Sequence, residues 1–303
     1  MRGIGLLEQK QLGRRYLVIY RSLGLGDRED AFRKVGFLMI ELVVVGLVGI
    51  ILCLIVILCY PRSSVPREIG FAEGIDDAAV GEAFNTIQRL PQFKMVRSRI
   101  ISHVIKPRIG VPPMDGATLL DLGCGTGHLL MAFHEAVASG KAPKLRLLGI
   151  DLGAESVRIC GERMSDAGIA DVDVREGDGA NMPYSDSDID VVVTSLSLHH
   201  WTEPIRVFNE MYRVLRPGGL LVLLDMRRDA RKFWHRLLAF ATYVVVPKAL
   251  RHVREPLGSL LASYTSEELE ALLSKTTWAR AEHRLEGFFF AQILEVRKPG
   301  EIQ

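Results

Sequence analysis

The chain has 303 residues, 48% of them hydrophobic, and a formal net charge of +2. That balance excludes the strongly basic surface of a nucleic-acid-binding protein, and the length leaves about 220 residues beyond the N-terminal region, enough for one full α/β domain. The four cysteines, Cys53, Cys59, Cys124 and Cys160, form no disulfide framework, and no Cys or His cluster stands at zinc spacing.

The first element in chain order is apolar. Arg14, Arg15, Arg21, Arg33 and Lys34 precede a run without a charge from Leu42 to Tyr60, which Phe37–Ile40 extends beyond Glu41. A run of this length is expected to span a bilayer as one helix, because a core helix is seldom apolar on every face. Gly46 and Gly49 are too close for the small-residue packing motif of paired membrane helices. The expected organisation is a basic segment 1–35, a transmembrane helix 36–60, a linker 61–80 that includes the extended Pro61–Arg67, and a globular domain 81–303.

Within that domain, Leu119–Leu122 reads as a strand running into Gly123-Cys124-Gly125-Thr126-Gly127-His128, with an apolar helix starting at Leu129. Glycine lets a nucleotide-like ligand approach bare backbone. The pattern is D-x-G-x-G-x-G, and His128 stands where a dinucleotide fingerprint carries its third glycine, so the loop points away from NAD and toward S-adenosylmethionine (SAM). Further strands are expected at Leu145–Asp151, Val172–Asp178, Asp190–Ser195 and Gly219–Asp225. An acid ending the second can accept from ribose hydroxyls, and an acid ending the third lies near an adenine. Thr202 is placed to cap a helix from Glu203 to Leu215, which Arg216-Pro217-Gly218-Gly219 ends. Thr265–Glu268 is a capping box, and Ala279–Leu285 with Phe288–Val296 form an antiparallel edge hairpin. Strands alternating with helices mean a parallel, doubly wound sheet.

The segments LLDLGCGTG (119–127), GID (149–151), EGDGANMPYSDSDIDVVV (176–193), SLSLHHW (195–201) and EMYRVLRPGG (210–219) together resemble class I SAM-dependent methyltransferases, especially the small-molecule enzymes of ubiquinone and menaquinone biosynthesis. The resemblance implies a Rossmann-like, seven-stranded, mostly parallel sheet. It implies that Asp121, Gly123, Gly125 and Gly127 face the methionine part of SAM, that Asp151 holds the ribose, that Asp178 meets the adenine amino group and that Leu152 packs near the ring. Cys124, Gly179 and Ser195 complete the implied cofactor set. Gly179 departs from the family, which usually has Ala there, and is expected to be harmless.

A sulfonium methyl needs alignment and exclusion of water, and a general base only where the acceptor must lose a proton. His199 and His200 follow the fourth strand at the ligand-binding edge; either can be that base, or the pair can orient the loop and pack with Trp201. Asp225, Arg227 and Arg228 are expected at the acceptor pocket, where the arginines either bind an anionic acceptor or pair with Asp225 and Asp229. The apolar Leu237–Val246, flanked by Arg231, Lys232, Arg236, Lys248, Arg251 and Arg254, is expected to be a lid beside the bilayer, which favours a hydrophobic or lipid-like acceptor; the ordinary alternative is a core helix. The basic excess before the apolar run favours a cytoplasmic N-terminus and an external domain. SAM is made in the cytosol, which favours the cytoplasmic face, and a start at Met39 would reconcile the two. The leading function is a membrane-anchored SAM-dependent methyltransferase. A catalytically silent SAM-binding scaffold and an NAD-linked oxidoreductase are the alternatives, and the acceptor atom and oligomeric state stay open.

Overall fold

The computed structural model describes residues 28–68 and 78–300, and the chain divides into two compact units, Met1–Tyr60 and Pro61–Gln303. In the first unit, α1 runs Arg28–Cys59. Its large apolar side chains from Phe37 to Leu52 are exposed. Among the described residues no helix is long and apolar enough to cross a membrane. The side chains of Cys53, Leu54 and residues 56–58 lie outside the described set, as do residues 1–27, which hold the basic cluster before Arg33. The fold therefore gives the helix without giving its passage through a bilayer.

The second unit is built on seven strands: β1 Ala117–Leu122, β2 Leu145–Asp151, β3 Val172–Glu176, β4 Ile189–Ser195, β5 Leu215–Met226, β6 Glu282–Phe288 and β7 Ala291–Arg297. Their order is β3-β2-β1-β4-β5-β7-β6, with β7 antiparallel to both neighbours. Leu119 pairs with Leu147 on one side and Val191 on the other. Successive residues of β5 enter opposite cores, Leu221 and Leu223 one and Leu220, Val222 and Leu224 the other, so the strand reads as an unbroken apolar run.

Helices cover both faces. α2 Ala78–Ile87 and α3 Pro91–Ile105 precede the sheet, α4 His128–Ala138 and α5 Ala154–Asp166 are the first crossovers, and α6 Pro204–Val214 precedes β5. Ile100 and Val104 of α3, Phe133 of α4 and Cys160 of α5 fill one core. Val207, Phe208 and Met211 of α6 fill the other, with Trp278. Between β5 and β6 lie α7 Lys232–Phe240, a π turn Ala241–Val245, α8 Lys248–His252, α9 Leu257–Ala262 and α10 Ser266–Leu273.

Several local expectations need correction. Glu203, not Thr202, is the N-cap of α6 and makes no side-chain cap bond; Pro204 starts the helix instead. The pairing of Ile189 with Leu215 starts β5 before Gly219, and the register shifts before Val191 pairs with Leu220, with Gly218 at φ 75° between. The hairpin starts at Glu282, because Trp278 is buried with its indole N–H donating to the Phe208 carbonyl at 2.7 Å, and Phe289 at φ 49° forms its turn. The Thr265–Glu268 capping box is present, with bonds of 3.0 and 2.9 Å.

Candidate functional site

A cavity of about 390 Å³ opens at the carboxyl ends of β1, β2 and β4, the edge where open α/β sheets place ligands. Its floor is the loop after β1. Gly123, Gly125 and Gly127 have φ of 74°, 50° and 79°, a region that costs any residue with a Cβ. A Cβ on Gly123 would strike Ser197 Oγ, and one on Gly127 would strike Cys160 Sγ and come within 2.9 Å of Met164 Cε; at Gly125 it would meet nothing within 4 Å. Gly125 therefore offers open backbone. We expect Gly127→Ala to lower the melting temperature strongly, whereas Gly125→Ala costs only the backbone strain, about 1 kcal/mol, and loses ligand affinity instead. Paired melting and titration curves check this, and equal losses of stability would contradict it.

Two acids face this loop. Asp151 accepts from Gly125 N at 2.7 Å and from Gly153 N at 2.9 Å, so it closes the loop onto the end of β2. Asp121 is buried, and its Oδ2 has no hydrogen-bond partner among the described residues. Burial, then the neighbouring Cys160 and Asp151, push its carboxyl well above the usual range. Asp178 turns back on its own chain, accepting from Ala180 N at 2.8 Å, and lines the cavity beside Leu152, an exposed apolar side chain. Cys124, Gly179 and Ser195 line it too. The methyl that Ala would add at Gly179 lies 3.0 Å from Leu122 Cδ1, so the departure removes a tight contact.

Opposite the loop, a 3-10 turn Leu198–His200 follows β4, entered through Leu196 at φ 55°, a strained value for a branched apolar residue. His199 is buried and lines the cavity. Its Nδ1 lies 2.7 Å from Asp225 Oδ1, and its backbone N–H donates to Asp225 Oδ2 at 3.0 Å. Met226 N also donates to Asp225, at 2.7 Å. Asp225 thus holds the His199 ring by side chain and backbone together, and it does not line the cavity. The His200 ring lies against His199 with centroids 3.8 Å apart and the planes tilted by 56°, and Trp201 packs edge-on against Phe208.

The arginines after β5 lie elsewhere. Arg227 is bound to Asp229 at 2.9 Å through Nε, and Arg228 donates to the carbonyls of Val65 and Ser263 and to Glu268. Neither lines the cavity. Of the pairings expected from the sequence, only Arg227–Asp229 forms; Arg228 takes Glu268 in place of Asp225, because α10 brings its capping glutamate against β5's end.

The roof comes from residues with no motif to mark them. Phe84 and Ile87 of α2, and Phe93, Val96 and Arg97 of α3, close the cavity from upstream of β1, and Glu255 and Ser259 close it from the segment after β5. His128, at the start of α4, lies 3.0 Å from Asn85 Oδ1 through Nε2, and Arg163 donates to the same oxygen. Burial first, then the positive Arg163 and Arg97, hold the His128 imidazole down at about 3. Its folded pKa is below the unfolded value near 6.5, so between these values the unfolded chain binds the extra proton and stability falls as pH drops. We expect His128→Gln, which keeps a donor for Asn85, to flatten the loss of stability between about pH 6.5 and pH 4. Denaturant midpoints at several pH values measure it; an unchanged slope would place the acid sensitivity elsewhere.

The strand order, the glycine loop and the paired acids define a nucleotide-type cofactor fold. The chain belongs to the methyltransferase-domain family, whose model matches residues 113–276, and it is a SAM-dependent methyltransferase. It is 26% identical over 214 residues to the biotin biosynthesis bifunctional protein BioHC of Teredinibacter turnerae, covering 68% of this chain and 36% of that protein's length. It is 25% identical over 209 residues to the demethylmenaquinone methyltransferase of Staphylococcus epidermidis, covering 69% of this chain and 78% of that one. The plantazolicin methyltransferase BpumL, solved with S-adenosylhomocysteine, shares the fold with a TM-score of 0.57 at 16% identity, over 74% of this chain and 92% of that one.

Proposed function

We propose that this chain is a membrane-anchored enzyme that methylates a small, apolar, quinone-like acceptor. The observation that carries the reading is that the glycine loop and the Asp225-held His199 line one cavity whose roof includes the apolar Phe84, Ile87, Phe93 and Val96 beside Arg97. Resemblance to an enzyme named for demethylmenaquinone supports the acceptor class. The site also fits the cofactor, since Asp121 offers a buried carboxyl oxygen with no partner among the described residues and Gly125 has open space where a Cβ would stand.

When bound, SAM supplies a methyl group already activated by its sulfonium sulfur. Asp121 and the loop glycines would hold its methionine end, Asp151 its ribose, and Asp178 and Leu152 its adenine, with Cys124, Gly179 and Ser195 shaping the walls. His199, oriented through Nδ1, would take the proton that the acceptor loses, and His200 would pack the ring in place. Phe84, Phe93 and Trp201 would exclude water and align the acceptor. Aliphatic α1 would tether the domain to a bilayer, on the cytoplasmic face where SAM is made, with Arg62 and Arg67 flanking that side.

The test is calorimetry on the full chain in lipid nanodiscs with SAM, S-adenosylhomocysteine and NAD. Both sulfur ligands should bind, NAD should not, and Asp151→Ala should weaken binding about tenfold or more. Binding of NAD alone would favour an oxidoreductase. Binding without methyl transfer to quinols with apolar tails or to other small acceptors would favour a silent scaffold.

A further inference from the structure

The face that α7 and its π turn show to solvent is not explained by the methyl-transfer site. Leu237, Phe240, Tyr243, Val244 and Val245 are between 42% and 65% exposed, and Phe289, 60% exposed, adds to them from the β6–β7 turn. The opposite side of the same segment is well engaged. Trp234 packs edge-on against Phe289 at 5.3 Å and beside Phe290 at 5.3 Å, His235 bonds the Arg228 carbonyl, and Thr242 is fully buried and accepts from Leu257 N. The segment is thus fixed on the domain with its apolar side outward. A fixed, outward apolar cluster of this kind marks a contact surface.

Charge selects the partner. From Ala230 to Arg254 the sequence has no acid, while Lys232, Arg236, Lys248 and Arg251 are exposed and flank the apolar cluster. Apolar side chains that reach outward inside a cationic rim suit the boundary between acyl chains and anionic headgroups. The path of the chain agrees. Pro61, which follows α1 in sequence, accepts from Lys232 N at 2.9 Å, Ser63 N donates to the Ala230 carbonyl at 3.0 Å, and the backbones of Arg62 and Arg231 form an antiparallel β-bridge. The first residues of the domain, Pro61–Ser63, are therefore bonded to the start of α7. Glu255 and Ser259, a few residues beyond the rim, line the cavity.

We propose that the exposed face of α7 and its π turn, with Phe289, is a docking surface for an anionic lipid bilayer. It places the part of the cavity wall formed by Glu255 and Ser259 on the membrane side of the domain. This rests on the anchored reading of α1 only for the tether; the surface itself rests on its own side chains.

Hydrogen exchange on the full chain, in nanodiscs of neutral lipid and of lipid with anionic headgroups, separates the two. Amides of 236–246 should slow about tenfold or more in anionic nanodiscs relative to neutral ones, and Lys232→Glu with Arg236→Glu and Lys248→Glu should abolish the difference. These variants should keep activity on an acceptor presented in detergent, which shows that they fold. Amides of 42–58 report the anchor, and should be protected in both lipids. Protected 42–58 with unchanged 236–246 overturns the docking surface and leaves the anchor. Slowed 236–246 with unprotected 42–58 supports the surface and removes the anchor. Slowing of 236–246 in native membranes but in neither nanodisc would assign the surface to a protein partner and overturn the proposal.

Discussion

With His199 replaced by Gln, kcat should fall about 10²- to 10⁴-fold while the SAM dissociation constant stays within about threefold. The expectation rests on how the ring is held. Asp225 is buried and takes three donors, His199 N, Met226 N and the Nδ1 side of the ring. A proton on Nδ1 leaves Nε2 as the acceptor, the state a base requires. Asp225→Asn keeps the shape but must turn its amide one of two ways. With the NH2 toward His199 N, two donors face each other in a buried site, at about 1–3 kcal/mol. With the NH2 toward Nδ1, the ring proton moves to Nε2, which can no longer accept. Either way kcat should drop by about 10-fold or more. Rates near those of the parent in both variants, with lowered melting temperatures, would make the pair a strut for the loop after β4 and leave transfer to alignment alone.

The contrast between this pair and the glycine loop shows what the sequence carries. The middles of β1, β2, β4 and β5 are buried on both faces, so each carries a short apolar run that the sequence shows, and Gly123, Gly125 and Gly127 stand out in the chain because their positive φ values strain a residue with a Cβ. Both signals are local. The Asp225–His199 bond joins the ends of two strands, and only the order β4-β5 tells which face each end shows. The same holds for Arg228, whose neighbour Asp229 is nearer in sequence than Glu268, the partner it takes. The roof was legible least, because Phe84, Ile87, Phe93 and Val96 look like any amphipathic helix until the fold lays α2 and α3 over the cavity. The alternation in Ala279–Leu285 set the hairpin too early for a related reason: the burial of Trp278 beneath α6 is tertiary, and no period of two records it.

Asp121→Asn should make the ligand-free protein more stable above neutral pH and bind SAM about 10- to 100-fold more weakly. Asp121 is 2% exposed, and burial, then Cys160 and Asp151, raise its carboxyl well above the usual range. The sign follows from linkage. The unfolded chain releases this proton near pH 3.9, whereas the native chain holds it to higher pH, so the native state binds the extra proton and stability falls as pH rises through the folded value. The amide removes that slope while keeping the volume. It also removes the negative charge that the cationic end of SAM would meet, and a charge-assisted bond in so dry a place is stronger than a neutral one. Melting curves at pH 5.5, 7.0 and 8.5, with and without SAM, separate the two effects. Without ligand, the variant should gain on the parent as pH rises; with SAM, the parent should regain the lead. A variant less stable at every pH without ligand would show that Oδ2 has a structural task in the folded chain. A variant that binds SAM as tightly as the parent would remove Asp121 from the cofactor set.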